Sequence, residues 1–255
     1  MSVHLPAIRL VEEGDYERLA NFLANFPEEA GASDRWLARL RHWWDDNPAF
    51  QPETPRGWML VKKDHIVGFL GNIPTHFQLA GVTVTAASAT TWRVLPDYRG
   101  HSMQLYARLL DAGRDSLVFN TTPNESIKSM LRKLRVQDVP GRGPGWRFAV
   151  ASSFQCFRSL PVLRLLPGFV ASILAGPASV AVCGTARRAW PFHDLEVRPI
   201  EQADETFDQL WERTRHLYHT TNVRRAADLN WYLRAPWFPK QLLACYRRGA
   251  LVGYL

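Results

Sequence analysis

The chain has 255 residues, of which 46% are hydrophobic and 22% charged, a balance that excludes collagen-like, mucin-like and wholly disordered classes. Thirteen Phe, ten Trp and seven Tyr supply enough apolar area for a core that needs no disulfides. The excess of 31 Lys and Arg over 24 Asp and Glu, a net charge of +7, attracts anions, whether nucleic acid, lipid headgroups or a phosphate-bearing cofactor, without choosing among them. The basic residues are dispersed, so no DNA partner is expected. Cys156, Cys183 and Cys245 fit no zinc spacing and read as reduced, buried, small apolar residues. Residues 1–15 do not read as a signal peptide, which makes a cytoplasmic location the expectation.

In chain order, Ile8–Val11 reads as a strand. A helix follows from Asp15, with Tyr16, Leu19, Ala20, Leu23 and Phe26 at helical spacing and Pro27 at its end. A second helix starts near Ser33 and carries Trp36, Leu37, Leu40, Trp43 and Trp44 on one face. Trp58–Lys62 and Ile66–Ile73 form a strand pair about a polar turn, and His76–Leu79 turns at Ala80-Gly81 into Val82–Thr85. Thr90–Val94 is a further strand, broken by Pro96. A helix then runs through Leu105, Leu109 and Leu110 to a Gly113 cap. Ser116–Asn120 is a short strand. Thr122-Pro123-Asn124-Glu125 opens a helix with Thr122 as cap and Glu125 closing a capping box. Trp146–Val150 reads as a closing strand. Gly168–Cys183 is a run of sixteen uncharged residues, short of the ~20 that span a bilayer and interrupted by Pro177. It reads as a buried helical connector, with contact at a membrane surface as the other reading.

The segment after Leu195 restarts the opening pattern. Val197–Asp204 parallels Ile8–Asp15, Trp231-Tyr232 parallels Trp43-Trp44, and Leu251–Leu255 parallels Ile66–Leu70. Three anchors in the same order point to duplication. The second copy stops within its second hairpin strand, so the sequence is either a piece of a longer chain or a half-unit packed on the first lobe. Both aromatic pairs read as core packing. His216 and His219 read as polar residues of a helix without a third metal ligand nearby.

The segment Trp92-Arg93-Val94-Leu95-Pro96-Asp97-Tyr98-Arg99-Gly100-His101-Ser102-Met103-Gln104-Leu105 joins a strand to a helix. Such a turn aims amides and the positive end of the helix at one point, an anion site suited to a diphosphate. This element order, with Val94-x-Pro96-x-Tyr98-Arg99-Gly100 at the turn, resembles the GNAT superfamily of acyl-CoA N-acyltransferases from Ile8 to about Val150. The resemblance implies acetyl-CoA or another acyl-CoA as co-substrate and no metal. The diphosphate would lie on Arg99, Gly100, His101, Ser102, Met103 and Gln104, and the pantetheine arm along Trp92, Arg93 and Val94, with Asn124 on the opposite wall. The acceptor would be a small-molecule or peptide amine on the face made by the Trp43-Trp44 helix and the third-strand hairpin.

Departures from the family pattern are specific. Ser102 and Gln104 stand where the cofactor loop carries glycines, and Arg135 stands for the glycine after the later helix. Leu131 occupies the position of the Tyr that protonates the leaving thiolate in the family. Weak catalytic candidates are Asn120, also a turn residue, and Glu125, also the capping residue. Water held by Thr90 or Thr91 is a further candidate base.

The expectation is a mixed α/β (α+β sheet) protein: a GNAT-like acyltransferase lobe at 1–155, an apolar helical connector at 156–193 and a partial second GNAT-like unit at 194–255, with homo-oligomerisation open. The leading activity is acyl-CoA-dependent N-acyl transfer. The alternatives are a catalytically degenerate ligand- or partner-binding protein and an aminoacyl-tRNA-dependent transferase with two such lobes.

Overall fold

The computed structural model describes residues 5–27, 32–121, 123, 125–134, 136–137, 194–237 and 240–255. The chain divides into two compact units, 1–126 together with 196–255, and 127–195. Thr122, Asn124, Arg135, Cys156, Cys183, the 146–150 strand and the apolar connector lie outside the described residues.

In the first unit the elements are β1 (Ala7–Leu10), α1 (Tyr16–Ala24), α2 (Ser33–Trp44), β2 (Gly57–Lys62), β3 (His65–Leu79), β4 (Val82–Val94), α3 (Ser102–Ala112) and β5 (Val118–Phe119). After α4 (Glu125–Lys133) and β6 (Leu195–Ile200) come α5 (Glu205–Thr214), β7 (Thr220–Asn222), α6 (Ala226–Leu233), β8 (Leu242–Arg247) and β9 (Ala250–Tyr254). One mixed sheet runs β1-β2-β3-β4-β5, with β7 also paired to β3, and a three-stranded sheet runs β6-β8-β9. All pairings in the larger sheet are antiparallel except β4 with β5.

Strand alternation sends successive side chains to opposite faces. Met59 and Phe69 join Leu19, Leu23, Leu40, Trp43 and Trp44 under α1 and α2. Their neighbours Leu60 and Leu70, equally buried, turn to the other face, where α3 packs on β2, β3 and β4 with Leu105, Tyr106 and Leu109 buried. Gly57 sits at φ +144°, and a Cβ there would lie 2.4 Å from Leu70 O, so the sheet entrance requires glycine.

Two strands are longer than the sequence pattern predicts. β3 continues through Pro74, where His76–Leu79 reads as a separate strand. Asn72 N–H donates to Arg56 O and Val223 N–H donates to His76 O, so by alternation residue 74 is the one facing the edge between β2 and β7. A proline there forfeits no ladder bond. Asn47 Nδ2 donates to the Pro74 carbonyl at 2.9 Å, and Trp44 Nε1 donates to Asn72 O at 2.8 Å. β4 continues through Ala86–Ala89, small residues that show no alternating pattern but pair with β3, and at Ala87 and Ser88 with β5 as well.

The two hairpins share their irregularities. Leu60 pairs with Gly68 and Val61 with Ile66, leaving Val67 as an extra residue. Cys245 pairs with Gly253 and Tyr246 with Leu251, leaving Val252 extra. Each residue of the second hairpin stands 185 positions after its counterpart. The turns match as well: Lys63 and Asp64 have φ 47° and 64°, Arg248 and Gly249 have φ 49° and 78°, the left-handed pair that suits a tight hairpin. α5 buries Phe207 and Leu210 against Leu242, Ala244 and Leu251. Cys245 is a free thiol, half-buried rather than buried.

The aromatic pairs differ. Trp43 and Trp44 are core, but Tyr232 is 61% exposed, and Trp231 stacks on His42 with centroids 5.1 Å apart. His216 lies in a 3-10 turn, Arg215–Leu217, and His219 in the link to β7, so the expected helix does not hold both. Among the described residues no group of three or more His, Cys, Asp or Glu is arranged to hold a metal ion, and no helix is long and apolar enough to cross a membrane.

His42 is buried between Trp231 and Trp237. Burial is the main cause that pushes its pKa below the ordinary 6.5. The unfolded chain takes up the proton first, so this site's stability is held above pH 6.5 and falls as pH drops through that value. We expect the melting temperature to fall between pH 7.5 and 5.5, and to fall less in His42→Phe. Equal slopes in thermal melts of the two proteins would refute the assignment.

Candidate functional site

The site begins where β4 leaves its neighbours. β5 pairs with β4 only at Ala87 and Ser88; beyond Ser88 the β5 side of β4 is unpaired among the described residues. On the other side the ladder is interrupted: Phe69 pairs with Arg93 but Gly71 with Thr90, so Thr91 and Trp92 face Leu70 alone. This is a β-bulge, and Thr91 takes φ 48° to make it, a conformation a β-branched residue adopts only under constraint. The bulge leaves the Thr90 and Thr91 hydroxyls 3.3 Å apart.

Past the bulge, Leu95 N–H donates to Val67 O. Alternation then turns the Arg93 amide to β3 and the Trp92 and Val94 amides and carbonyls to the open side. Of the three strand residues singled out by sequence, two therefore offer backbone to a ligand. The side chains are committed elsewhere. Arg93 lies over the Phe26 ring at 5.4 Å. Trp92 stacks on Tyr106 at 5.0 Å, with its Nε1 buried and unpaired. Burial raises the Tyr106 pKa, which keeps that phenol protonated.

The turn is tighter than the open amide cradle read from sequence. Residues Pro96–His101 form a 3-10 helix that runs directly into α3. Tyr98 N–H donates to Leu95 O and Ser102 N–H to Arg99 O; the Ser102 hydroxyl also donates to Arg99 O at 2.7 Å. These amides are spent inside the turn. What the turn offers instead is side chains. The Arg99 guanidinium is exposed and makes no ion pair or hydrogen bond among the described residues. Gly100 has open space around it. Gln104 points outward, 3.4 Å from His101 Nδ1, and does not plug the turn. Met103 is half-buried, and the first turn of α3 holds no acidic residue. The open strand side and the Arg99 and His101 side chains are thus left available to a ligand, and the Ser102 amide is not.

The other candidates lie further along. Asn120 is half-buried just after β5, and Glu125 is the exposed first residue of α4; both have interaction partners. Leu131 in the second unit is 5% exposed, an apolar residue with no proton to give. One arrangement was invisible to sequence reasoning: His76 on β3 hydrogen-bonds Asp228 on α6, Nδ1 to Oδ1 at 2.8 Å. These residues stand 152 positions apart, and no local pattern joins them.

No family model matches the sequence, and no curated protein matches it. Solved structures do. One is a conserved protein of unknown function, probable N-acyltransferase, from Enterococcus faecalis V583; it matches with a TM-score of 0.53 at 10% identity, over 99% of this chain and 55% of its own. An acetyltransferase, so named provisionally, from Pyrococcus horikoshii matches with a TM-score of 0.50 at 12% identity, over 98% of this chain and 71% of its own. The chain thus spans about half the length of the Enterococcus protein. With the antiparallel β1–β4 order, the parallel and diverging β5, and the strand-turn-helix at Val94–Ser102, these likenesses establish that the chain has the fold of the GNAT superfamily of N-acyltransferases.

Proposed function

We propose that the protein is an acyl-CoA-dependent N-acyltransferase, with 194–255 a partial repeat of the first lobe. The observation that carries the reading is the bulge at Thr91 followed by the open side of Trp92 and Val94, which leads straight to the Arg99 turn. The matching hairpin registers support the repeat. Bound acyl-CoA supplies an activated thioester. The chain's part is to hold and orient it. Trp92 and Val94 extend backbone donors and acceptors to the pantetheine amides, and Arg99 and His101 meet the diphosphate. The hydroxyls of Thr90 and Thr91 stand at the bulge, where they orient the acceptor or a water. Asn120, just after β5, and Glu125, at the start of α4, are the candidate side chains from the following elements. No side-chain acid replaces the tyrosine at Leu131, so the leaving sulfur takes its proton from solvent or from the incoming amine. The acceptor is a small-molecule or peptide amine, and the compartment the cytoplasm.

Acetyl-CoA at roughly 100 times its Kd is expected to stabilise the protein by about 2.7 kcal/mol, read as a rise in melting temperature. A thermal scan unchanged by acetyl-CoA would sink the acyl-CoA reading in favour of a binding protein. A shift with aminoacyl-tRNA alone would favour the tRNA-dependent transferase.

A further inference from the structure

We propose that a second cavity, where β3 meets α6, binds a small carboxylate with an apolar or aromatic body. The cavity measures about 370 Å³, and its walls include His76, Arg224, Asp228, Trp231, Tyr232 and Tyr254. That volume sits at the small end of the ~300–1,000 Å³ usual for ligand pockets. It lies apart from the cofactor strand: His76 pairs with Thr85, five residues before Thr90, or ~17 Å along the strand.

The guanidinium in the wall selects the ligand's sign. Asp228 Oδ1 is held by His76 Nδ1 at 2.8 Å, with side chains 16% and 28% exposed. Arg224 is half-buried and has no carboxylate partner among the described residues; it makes a 3.4 Å hydrogen bond to Thr221 Oγ1, a 5.2 Å approach to the Tyr218 ring and a contact with the Tyr254 hydroxyl. Lys240 lies over the other wall residue Tyr232, 4.0 Å from its ring centroid, and donates to the Tyr232 carbonyl. A half-buried guanidinium without a counter-ion is the group that a carboxylate pairs with two-pronged. Trp231, Tyr232 and Tyr254 supply flat apolar surface for the rest of the molecule.

The pocket exists because the C-terminal segment docks on β3 through β7, with Gln78 Nε2 donating to Arg215 O and Tyr218 O. Nothing in this proposal depends on acyl-CoA, so its failure and that of the acyltransferase reading are separate.

The test is calorimetric titration of the full chain at pH 7.5, without CoA, with phenylacetate, its neutral isostere phenylacetamide and the cation phenethylamine. Phenylacetate is expected to bind saturably and at least ~10-fold more tightly than the amide, a difference of the size one charge-assisted pair gives. Arg224→Met should bring phenylacetate to the level of the amide and leave the amide unchanged, whereas Arg224→Lys should retain the preference for the acid. Equal binding of acid and amide, preference for the amine, no saturable binding of phenylacetate, or indifference to Arg224→Met would each overturn the proposal. Should Arg224→Met fail to fold, the wild-type comparison of acid with amide decides alone.

Discussion

Replacing Arg99 by Glu is expected to weaken acetyl-CoA binding about 100-fold or more while leaving the fold intact. A hydrogen bond between ionised groups contributes about 1.5–3 kcal/mol, and reversing the charge beside a diphosphate adds repulsion, so a loss near 2.7 kcal/mol, or about 100-fold, is a conservative figure. The effect should be this large because the turn holds its Ser102 amide and hydroxyl on Arg99 O, which leaves the guanidinium to carry the anion. It should shrink in high salt, since the side chain is exposed. The fold should survive because Arg99 makes no ion pair among the described residues. Calorimetric titration of acetyl-CoA into wild type, Arg99→Glu and Gln104→Ala gives the comparison; Gln104 points outward, so its loss should change affinity less than about 3-fold, under the weight of one neutral hydrogen bond. Undiminished affinity in Arg99→Glu would place the diphosphate elsewhere.

Trp44→Ala is expected to cost about 4–5 kcal/mol of unfolding free energy, a large share of what holds a domain together. Trp44 has no exposed surface, sits 5.3 Å from the Tyr16 ring and 6.1 Å from Trp43, and its indole N–H serves the Asn72 carbonyl. Alanine removes the ring and strands that carbonyl; Trp44→Phe keeps most of the volume and should cost about 1–3 kcal/mol, the penalty of the unpaired acceptor. Urea denaturation measures both. A cost below about 1.5 kcal/mol for Trp44→Ala would mean that α2 is not pinned to β3 as described.

The first half of the fold was readable because its signals are local. The faces of α1 and α2, the Lys63-Asp64 turn and the Gly113 stop are written in spacing and turn chemistry, and the structure follows them. The proposed repeat rests on three such local signals that recur in order. What escaped the sequence depends on partners far away along the chain. β7 is three polar residues, Thr220–Asn222, that are a strand only because β3 offers an edge. The Ala86–Ala89 run carries no pattern of its own and is held by strands on both sides. In the site, the Val94–Ser102 join was legible as strand, turn and helix, but the 3-10 winding that spends the Ser102 amide was not, since Gly100 and Ser102 suit an open loop and a tight one alike. Likewise nothing adjacent to Thr91 announces its left-handed backbone; the mismatch between β3 and β4 imposes it.

The proline within β3 has a consequence for life at high concentration. A fifteen-residue strand flanked by a six-residue and a three-residue neighbour leaves a bare stretch of rim, the kind of surface on which chains template one another into aggregates. Here the outward position in that stretch has no amide to donate, and its carbonyl is already taken by Asn47. At that position an incoming strand finds no donor and an acceptor already occupied, so this gap along β3 is a poor template for edge-to-edge pairing.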